Sequence, residues 1–460
     1  MCRYLKTPIC LLLIILSIVA FLLPGCQKEL PNELRIMYAY KKTAKEEWFS
    51  EVLTHFQELY PDVAITLEAV PEDKEALKRL QTEIMAGKGP DVYLLNMAGF
   101  NILFPDAEQA MYNGMFADIG EFYDADEALG KDTLNKSVMD GGVIEGRRYL
   151  LPLLYDIPVA YVDIEQFEAL GGSLDMFDGG IMELFNDVLA SNVPELITST
   201  SISFHCIARC GQSFFPQTLD YNDQKVLLNE KELSRFFKML QTVRATEVYD
   251  KTQINFPRHI DELMQDPDGG FWTDYVSMYI GCLSDHLTED IVYGIMSGRK
   301  IATIPVAAMD GDLVAAVKYV GAVSNSCKNP SLAYQFIRLF LTEQAQWSKH
   351  LKVMNGYNCI GWPVRTDGSV SALLETSLFK SKMVWLSAEL EAEIPTISDN
   401  DVPVLSAPVD RVTFSSITYE PFKNLMNSVN DQTTGEVLSV DIDAMVASLL
   451  EELEWHLYEG

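Results

Sequence analysis

The first hundred residues switch repeatedly between two hydrophobic periods, and this restricts the fold more than any other feature of the 460-residue chain. Residues 34–38 form a short, mostly apolar run suited to a buried strand. From Ala44 the apolar residues change to helical spacing, with Phe49, Val52, Leu53, Phe56, Leu59 and Tyr60 on one face. Pro61 ends that helix, and Val63, Ile65 and Leu67 then alternate as in a strand. A second helix follows with Leu77, Leu80, Ile84 and Met85 inward. Gly87 is its C-terminal glycine, Pro90 blocks further helix, and residues 91–95 give a third strand. The order βαβαβ makes parallel pairs with right-handed crossovers, so an open α/β sheet is expected. Ligands of such sheets bind beyond the carboxyl ends of the strands, near the switch point. The loops there carry Tyr40, Lys41 and Asn96, which become candidate ligand contacts. Each has a plainer alternative: Tyr40 packs on the lobe, Lys41 is a solvated charge, and Asn96 caps a turn.

With 48% apolar and 22% charged residues, the chain is long enough for two or three domains with buried cores, which excludes disorder and fibrous repeats. Lys and Arg total 35 against 66 Asp and Glu, and a net charge of −31 repels phosphate backbones, so nucleic acid is excluded as a main partner. No glycine loop that cradles phosphate follows the first strand. Gly-x-Ser-x-Gly, His-Glu-x-x-His and Walker patterns are absent from the sequence. Absent motifs do not by themselves exclude an enzyme; the expectation of no cofactor, no metal and no catalytic residues comes with the resemblance set out below. Close carboxylate pairs on so acidic a protein are weak evidence of glycosidase chemistry.

Arg3 and Lys6 precede an uncharged run of fifteen residues from Ile9 to Leu23, apolar except for Ser17 and followed by Pro24, Gly25 and Cys26. As a helix this run rises only about 22 Å, short of a hydrocarbon core of roughly 30 Å, and reads as a signal peptide over residues 1–25. Leu-Pro-Gly-Cys resembles the lipobox of bacterial lipoproteins, with a slightly unusual Pro24. The resemblance implies a diacylglyceryl group on Cys26, a tether over residues 26–32, and a place at the extracytoplasmic face of the cell membrane. Cys206, Cys210, Cys282, Cys327 and Cys359 remain. An odd number cannot all pair, and they are too sparse for a disulfide framework, so isolated buried thiols are expected. His205-Cys206 with Cys210 lacks the second half of a zinc pattern.

Several ordered segments carry a more specific likeness. They are Ile84-Met85-Ala86-Gly87-Lys88-Gly89-Pro90-Asp91-Val92, Gly114-Met115-Phe116-Ala117-Asp118-Ile119, and the run from Ile144 through Glu145-Gly146-Arg147-Arg148 to Leu153. Further on come a strand over residues 322–325 and Asn329-Pro330 as cap and first helical residue. Leu332, Phe336, Ile337, Phe340 and Leu341 form the buried face of that helix, and Gly361-Trp362-Pro363-Val364-Arg365 follows. A terminal helix aligns Ile442, Met445, Leu449, Leu450, Leu453 and Leu457. In this order they resemble the extracellular solute-binding proteins, family 1, which feed ABC importers.

The resemblance implies two α/β lobes, each a mostly parallel sheet flanked by helices, with ligand in the cleft and closure by hinge bending. The lobes would be residues 33–153 with 306–345, and 154–305 with 346–460. Crossings are placed near residues 153–161, 304–311 and 347–361. Residues 175–290 match the family poorly. The region 409–422 lacks the tryptophan that many sugar binders place there, with Phe414 or Tyr419 as substitutes.

The implied ligand is a carbohydrate, recognised by aromatic rings against pyranose faces and by carboxylates bonding hydroxyls. Phe271, Trp272, Asp274, Tyr275 and Tyr279 form the densest such cluster; Trp272, Tyr275 and Tyr279 are equally a buried helical stripe. Tyr155 and Asp156 follow one crossing and Trp362 another, where Trp362 either meets ligand or braces the hinge. The ligand-binding set is thus Tyr40, Lys41, Asn96, Tyr155, Asp156, Trp272, Tyr275 and Trp362. A monomer that hands its ligand to permease subunits is expected, with a carbohydrate-active enzyme or a partner of a membrane sensor as rival readings.

Overall fold

A computed structural model describes residues 32–40, 46–198, 200–202, 210–221, 223–246, 277–283, 299–348, 361–368, 408–414, 425 and 440–459. The signal peptide, Cys26, the tether up to residue 31, Lys41, Trp272, Tyr275 and Tyr419 lie outside them. Among the described residues no helix is long and apolar enough to cross a membrane.

The βαβαβ opening forms as its periodicity predicts. Strands β1 (Glu33–Tyr40), β2 (Ala64–Val70) and β3 (Val92–Asn96) pair in parallel, with β1 in the middle. The helix Glu46–Leu59 buries Trp48, Phe49, Val52 and Phe56. Phe56 meets Phe336 edge-on at 5.2 Å, and Trp48 meets Phe340 edge-on at 5.1 Å. The helix Lys74–Met85 starts on Asp73, whose carboxylate accepts from Ala76 N–H at 2.9 Å. It ends at Gly87 with φ +68°, where Gly87 and Lys88 N–H donate back to Ile84 and Glu83 carbonyls. That pair of bonds is the Schellman closure, which glycine permits because it lacks a Cβ. Met85 and Leu59, expected inward, are 75% and 52% exposed, because each sits in the last turn where the helix leaves the sheet.

Further along lie a small hairpin of β4 (Val143–Ile144) and β5 (Arg147–Arg148), then β6 (Leu150–Asp156) and β7 (Pro158–Asp163). β8 (Thr200–Ile202), the hairpin of β9 (Leu219–Asp220) and β10 (Lys225–Val226), β11 (Met278–Cys282) and β12 (Ile301–Pro305) follow. Last come β13 (Val314–Val323), β14 (Trp362–Pro363) and β15 (Arg411–Thr413). The hairpin between β4 and β5 turns on Glu145 and Gly146, both at positive φ, the two-residue turn whose twist matches that of the strands.

Two main sheets result. One has the order β14-β6-β13-β3-β1-β2, with β15 also on β13; the other has the order β12-β7-β11-β8. Both are mixed. The parallel expectation holds across β1, β2 and β3, while β13 runs antiparallel to β3 and β6. In the four-stranded sheet only β8 and β11 are parallel. Strands that enter from the other sheet are free of the helical crossover that enforces parallel order.

The seven-stranded sheet is covered on both faces. Along β3, Val92 and Leu94 join the core with Phe56 and Phe336, while Tyr93 and Leu95 join the opposite one with Phe100 and Phe104. Along β7, Ala160 and Val162 enter a separate core built with the helices Ile181–Ala190, Glu230–Thr246 and Ile442–Glu459. Val159 and Tyr161 instead face the first sheet's core. The anticipated helix over Pro330–Arg338 is present, with Asn329 capping Leu332 N–H at 3.2 Å. The strand before it runs from Val314 to Val323, rather than to residue 325, because Cys327 N–H already turns back to Ser324.

Candidate functional site

Two short links join the sheets among the described residues, and both carry polar chemistry. At the first, β6 ends at Asp156 and β7 begins at Pro158, leaving only Ile157 between the two sheets. Asp156 is fully buried and its carboxylate accepts from Ile157 N–H at 3.1 Å. Ile157 carbonyl accepts from Leu283 N–H at 3.0 Å, and Pro158 carbonyl from Val306 N–H at 3.0 Å. The link is therefore tied to the ends of both β11 and β12.

The second link, from β12 to β13, turns at Gly311 with φ +88°. Arg411 on β15 fastens it. Its guanidinium donates to the Asp312 carboxylate at 2.6 Å, to Asp310 at 2.9 and 3.0 Å, and to Phe215 carbonyl at 3.4 Å. Thr413 hydroxyl donates to Gln212 Oε1 at 3.2 Å, so β15 touches the second unit twice.

A third contact spans the units away from the links. Asp106 opens the helix Ala107–Tyr112, accepting from Gln109 N–H at 2.8 Å with one oxygen and from Tyr221 hydroxyl with the other. The Tyr221 ring lies 5.6 Å from that of Tyr112, tilted by 42°. Glu108 beside it has its carboxyl pushed up to about 7, first by burial and then by the Asp106 charge. One carboxylate, Asp106, and two tyrosines, one of the rings from the β9–β10 turn of the second unit, thus meet where the units face each other, with Glu108 near enough to feel the Asp106 charge. Carboxylates that accept from hydroxyls beside aromatic faces are suited to a sugar.

The residues singled out in sequence divide. Tyr155 and Trp362 come together, directly opposite each other in the β6–β14 ladder. Tyr155 is buried and its phenol is pushed up to about 12 by burial, against the opposing effect of an Asn135 hydrogen bond. Trp362, 8% exposed, meets Trp347 edge-on at 6.3 Å, which is a bracing position. Asn96 takes its plainer role, capping the helix Met97–Leu103 through Gly99 N–H at 2.9 Å. Tyr40 closes β1 opposite Val70. Asp156 lies with Cys210 and Cys282, their ligand atoms all within 4.8 Å of one another. Tyr279, read either as part of a cleft-facing aromatic cluster or of a buried helical stripe, is on strand β11 and buried, its ring 6.4 Å from Tyr161. Phe414, one of the two alternatives to the missing tryptophan, is buried in the core with Phe100 and Phe104.

Asp106, Glu108, Tyr112, Tyr221 and Arg411 were not singled out. The switch-point rule pointed to the end of β3, and following the chain onward from Asn96 would have reached the first three. Nothing local to Tyr221 or Arg411 marks either.

Residues 37–170 match the sequence model of the family described as bacterial extracellular solute-binding protein. The fold is that of the family 1 extracellular solute-binding proteins. Among solved structures, the sugar-binding protein MalE from Xanthomonas citri is similar at 14% identity and TM-score 0.53, covering 92% of this chain and 97% of its own. The GacH receptor of Streptomyces glaucescens GLA.O, described unliganded and with acarbose and an acarbose homolog, is similar at 14% and 0.51, covering 94% and 100%. A structure described as a de novo designed cysteine esterase is similar at 13% and 0.54, covering 93% and 98%. At such identities the likeness is one of fold. No curated protein sequence gives a significant match. The solute-binding fold accounts for the two sheets and their short links.

Proposed function

We propose that this chain is a lipid-anchored, extracytoplasmic solute-binding protein that captures a carbohydrate between its lobes and delivers it to the permease of an ABC importer. The observation that carries the reading is the Asp106–Tyr112–Tyr221 contact with Glu108. It is a polar and aromatic set to which both units contribute, in a fold whose units are joined by short links. The names of MalE and GacH, one sugar-binding and the other seen with acarbose, support a saccharide. The lipobox-like Cys26 supports the anchor.

In this reading the first lobe holds residues 33–156 and 313–346 with short returns at Trp362–Pro363 and Arg411–Thr413. The second holds residues 158–305 and the terminal helix Ile442–Glu459. The pairing of β14 with β6 and of β15 with β13 supports adding those returns to the first lobe, whereas the sequence reading puts all of residues 346–460 in the second. Trp362, Tyr155, Tyr40, Lys41, Asn96, Asp156, Trp272 and Tyr275 remain proposed contacts alongside the new set, and the protein acts as a monomer without chemistry of its own.

A thermal-shift screen of residues 27–460 against mono- and oligosaccharides, amino acids and peptides tests the reading. A saccharide at a hundred times its dissociation constant should add about 2.7 kcal/mol of stability, with no ligand consumed. Turnover of the saccharide would instead make the protein an enzyme. A response confined to other ligands would remove carbohydrate.

A further inference from the structure

Cys210 opens the 3-10 turn Gly211–Phe214 and Cys282 ends β11, and their sulfur atoms stand 3.3 Å apart. Both side chains are buried, at 1% and 0% exposure. We propose that Cys210 and Cys282 form a disulfide under the oxidising conditions that an extracytoplasmic chain meets. The sulfurs need to close by roughly 1.3 Å to reach a bond of about 2.05 Å. Two thiolates on one tetrahedral zinc at about 2.3 Å would instead lie roughly 3.8 Å apart. The observed spacing is shorter than that, which favours the covalent bond over a metal held with Asp156.

The bond sits at the joint between the sheets. Cys282 lies opposite Pro158 in the ladder, its carbonyl accepts from Tyr161 hydroxyl at 3.0 Å, and the next residue bonds Ile157. On the other side, the turn that Cys210 opens reaches the first unit through Gln212, which meets Thr413, and through Phe215 carbonyl, which accepts from Arg411, and it reaches the β12–β13 link through Phe214 carbonyl, which accepts from Met309 N–H at 2.9 Å. A Cys210–Cys282 bond therefore ties the turn bearing these contacts to the Ile157 link.

The oxidant is an organic disulfide. One protein thiolate attacks it, releasing the first thiolate of the oxidant and leaving a mixed disulfide. The second protein thiolate attacks the protein sulfur of that mixed disulfide and releases the other. Two protons pass from the protein thiols to the departing thiolates; the protein loses two electrons and the oxidant gains them. Because both sulfurs are buried in the folded chain, the exchange takes place during folding, and a reductant outside does not reach the finished bond.

The test uses the full chain in detergent, unfolded in urea with reductant, then refolded with oxidised and reduced glutathione, alkylated and digested. The expected product is a Cys210–Cys282 cross-linked peptide, with the protein lighter by two hydrogens. The cross-link should resist mild reductant until denaturant is added. Cys210→Ser, Cys282→Ser and the double variant should each melt several degrees below the oxidised protein, the double no lower than the singles. Full alkylation of both cysteines after refolding overturns the proposal, as does a cross-link through Cys206 or Cys359. Stoichiometric zinc that protects both thiols until a chelator is added overturns it in favour of a metal site, and additive losses in the serine variants overturn it as well.

Discussion

Gln346 offers the most direct measure of how the first sheet is held to the strand that leaves it. Its side chain is fully buried. The amide NH2 donates to Leu153 carbonyl on β6 at 2.9 Å and to Phe340 carbonyl at 2.8 Å, while its oxygen accepts from Val364 N–H at 2.8 Å and more weakly from Arg365 N–H at 3.4 Å. Gln346→Met keeps the volume and removes all of these partners. Three short bonds are lost, and stranding a buried backbone group costs about 1–2 kcal/mol each, giving about 3–6 kcal/mol. The extra apolar burial of the thioether returns about 1 kcal/mol, so the expected net loss is about 2–5 kcal/mol. Urea unfolding reads this as a lower midpoint at unchanged slope. A loss below about 1 kcal/mol would show that the amide is not what joins these segments, and the reasoning fails.

Gln346→Glu sharpens the point by pH. A carboxylate there faces two carbonyls without a proton to give, so its folded pKa rises above its unfolded value. The sign follows: such a group adds stability below the unfolded pKa and loses it as pH rises through the folded one. The variant should therefore approach wild type on acidification and be worst at neutral pH. Because Val364 follows β14, both variants should also loosen Trp362 opposite Tyr155.

Two further outcomes follow from the same geometry. Glu108, raised to about 7 by burial and by Asp106, should destabilise the wild type as pH climbs from about 5 to 8. Glu108→Gln should flatten that slope in melting temperature against pH, and an unaltered slope would assign it to other groups. Gly321 on β13 leaves no room for a side chain, since a Cβ would stand 2.3 Å from Ile337 Cγ2. Gly321→Ala should therefore cost about 1–3 kcal/mol. Ile337→Ala removes the obstructing methyl, so the double variant should lose less than the sum of the singles in denaturant unfolding; strict additivity would refute the clash.

The βαβαβ opening was legible because each of its signals is local. Asp73 and Gly87 cap a helix through bonds to residues within five positions, and the alternation along β3 distributes side chains to two faces whatever the neighbouring strand is. The terminal helix and the Asn329 cap were readable for the same reason. Strand direction in the second sheet was not, because periodicity states which face is buried and is silent on partner and orientation. The candidate site divided along the same line. Asn96 was correctly placed at the end of β3, yet its side chain serves the next helix, a role that equally fits its position. Tyr221 and Arg411 carried no signal, since their partners lie 115 and about 100 residues away.

By itself, then, the sequence determined the parallel βαβαβ opening with its Gly87 stop, the Asn329-capped helix and the terminal helix, all of which depend on contacts within a few residues along the chain. The tertiary structure alone decided the rest. It made Cys210 and Cys282 neighbours, gave Gln346 three segments to join, and set Asp106 against Tyr221. Those pairings are chosen by how two sheets pack around shared cores, and hydrophobic burial rewards the area removed from water without naming which distant residue covers it.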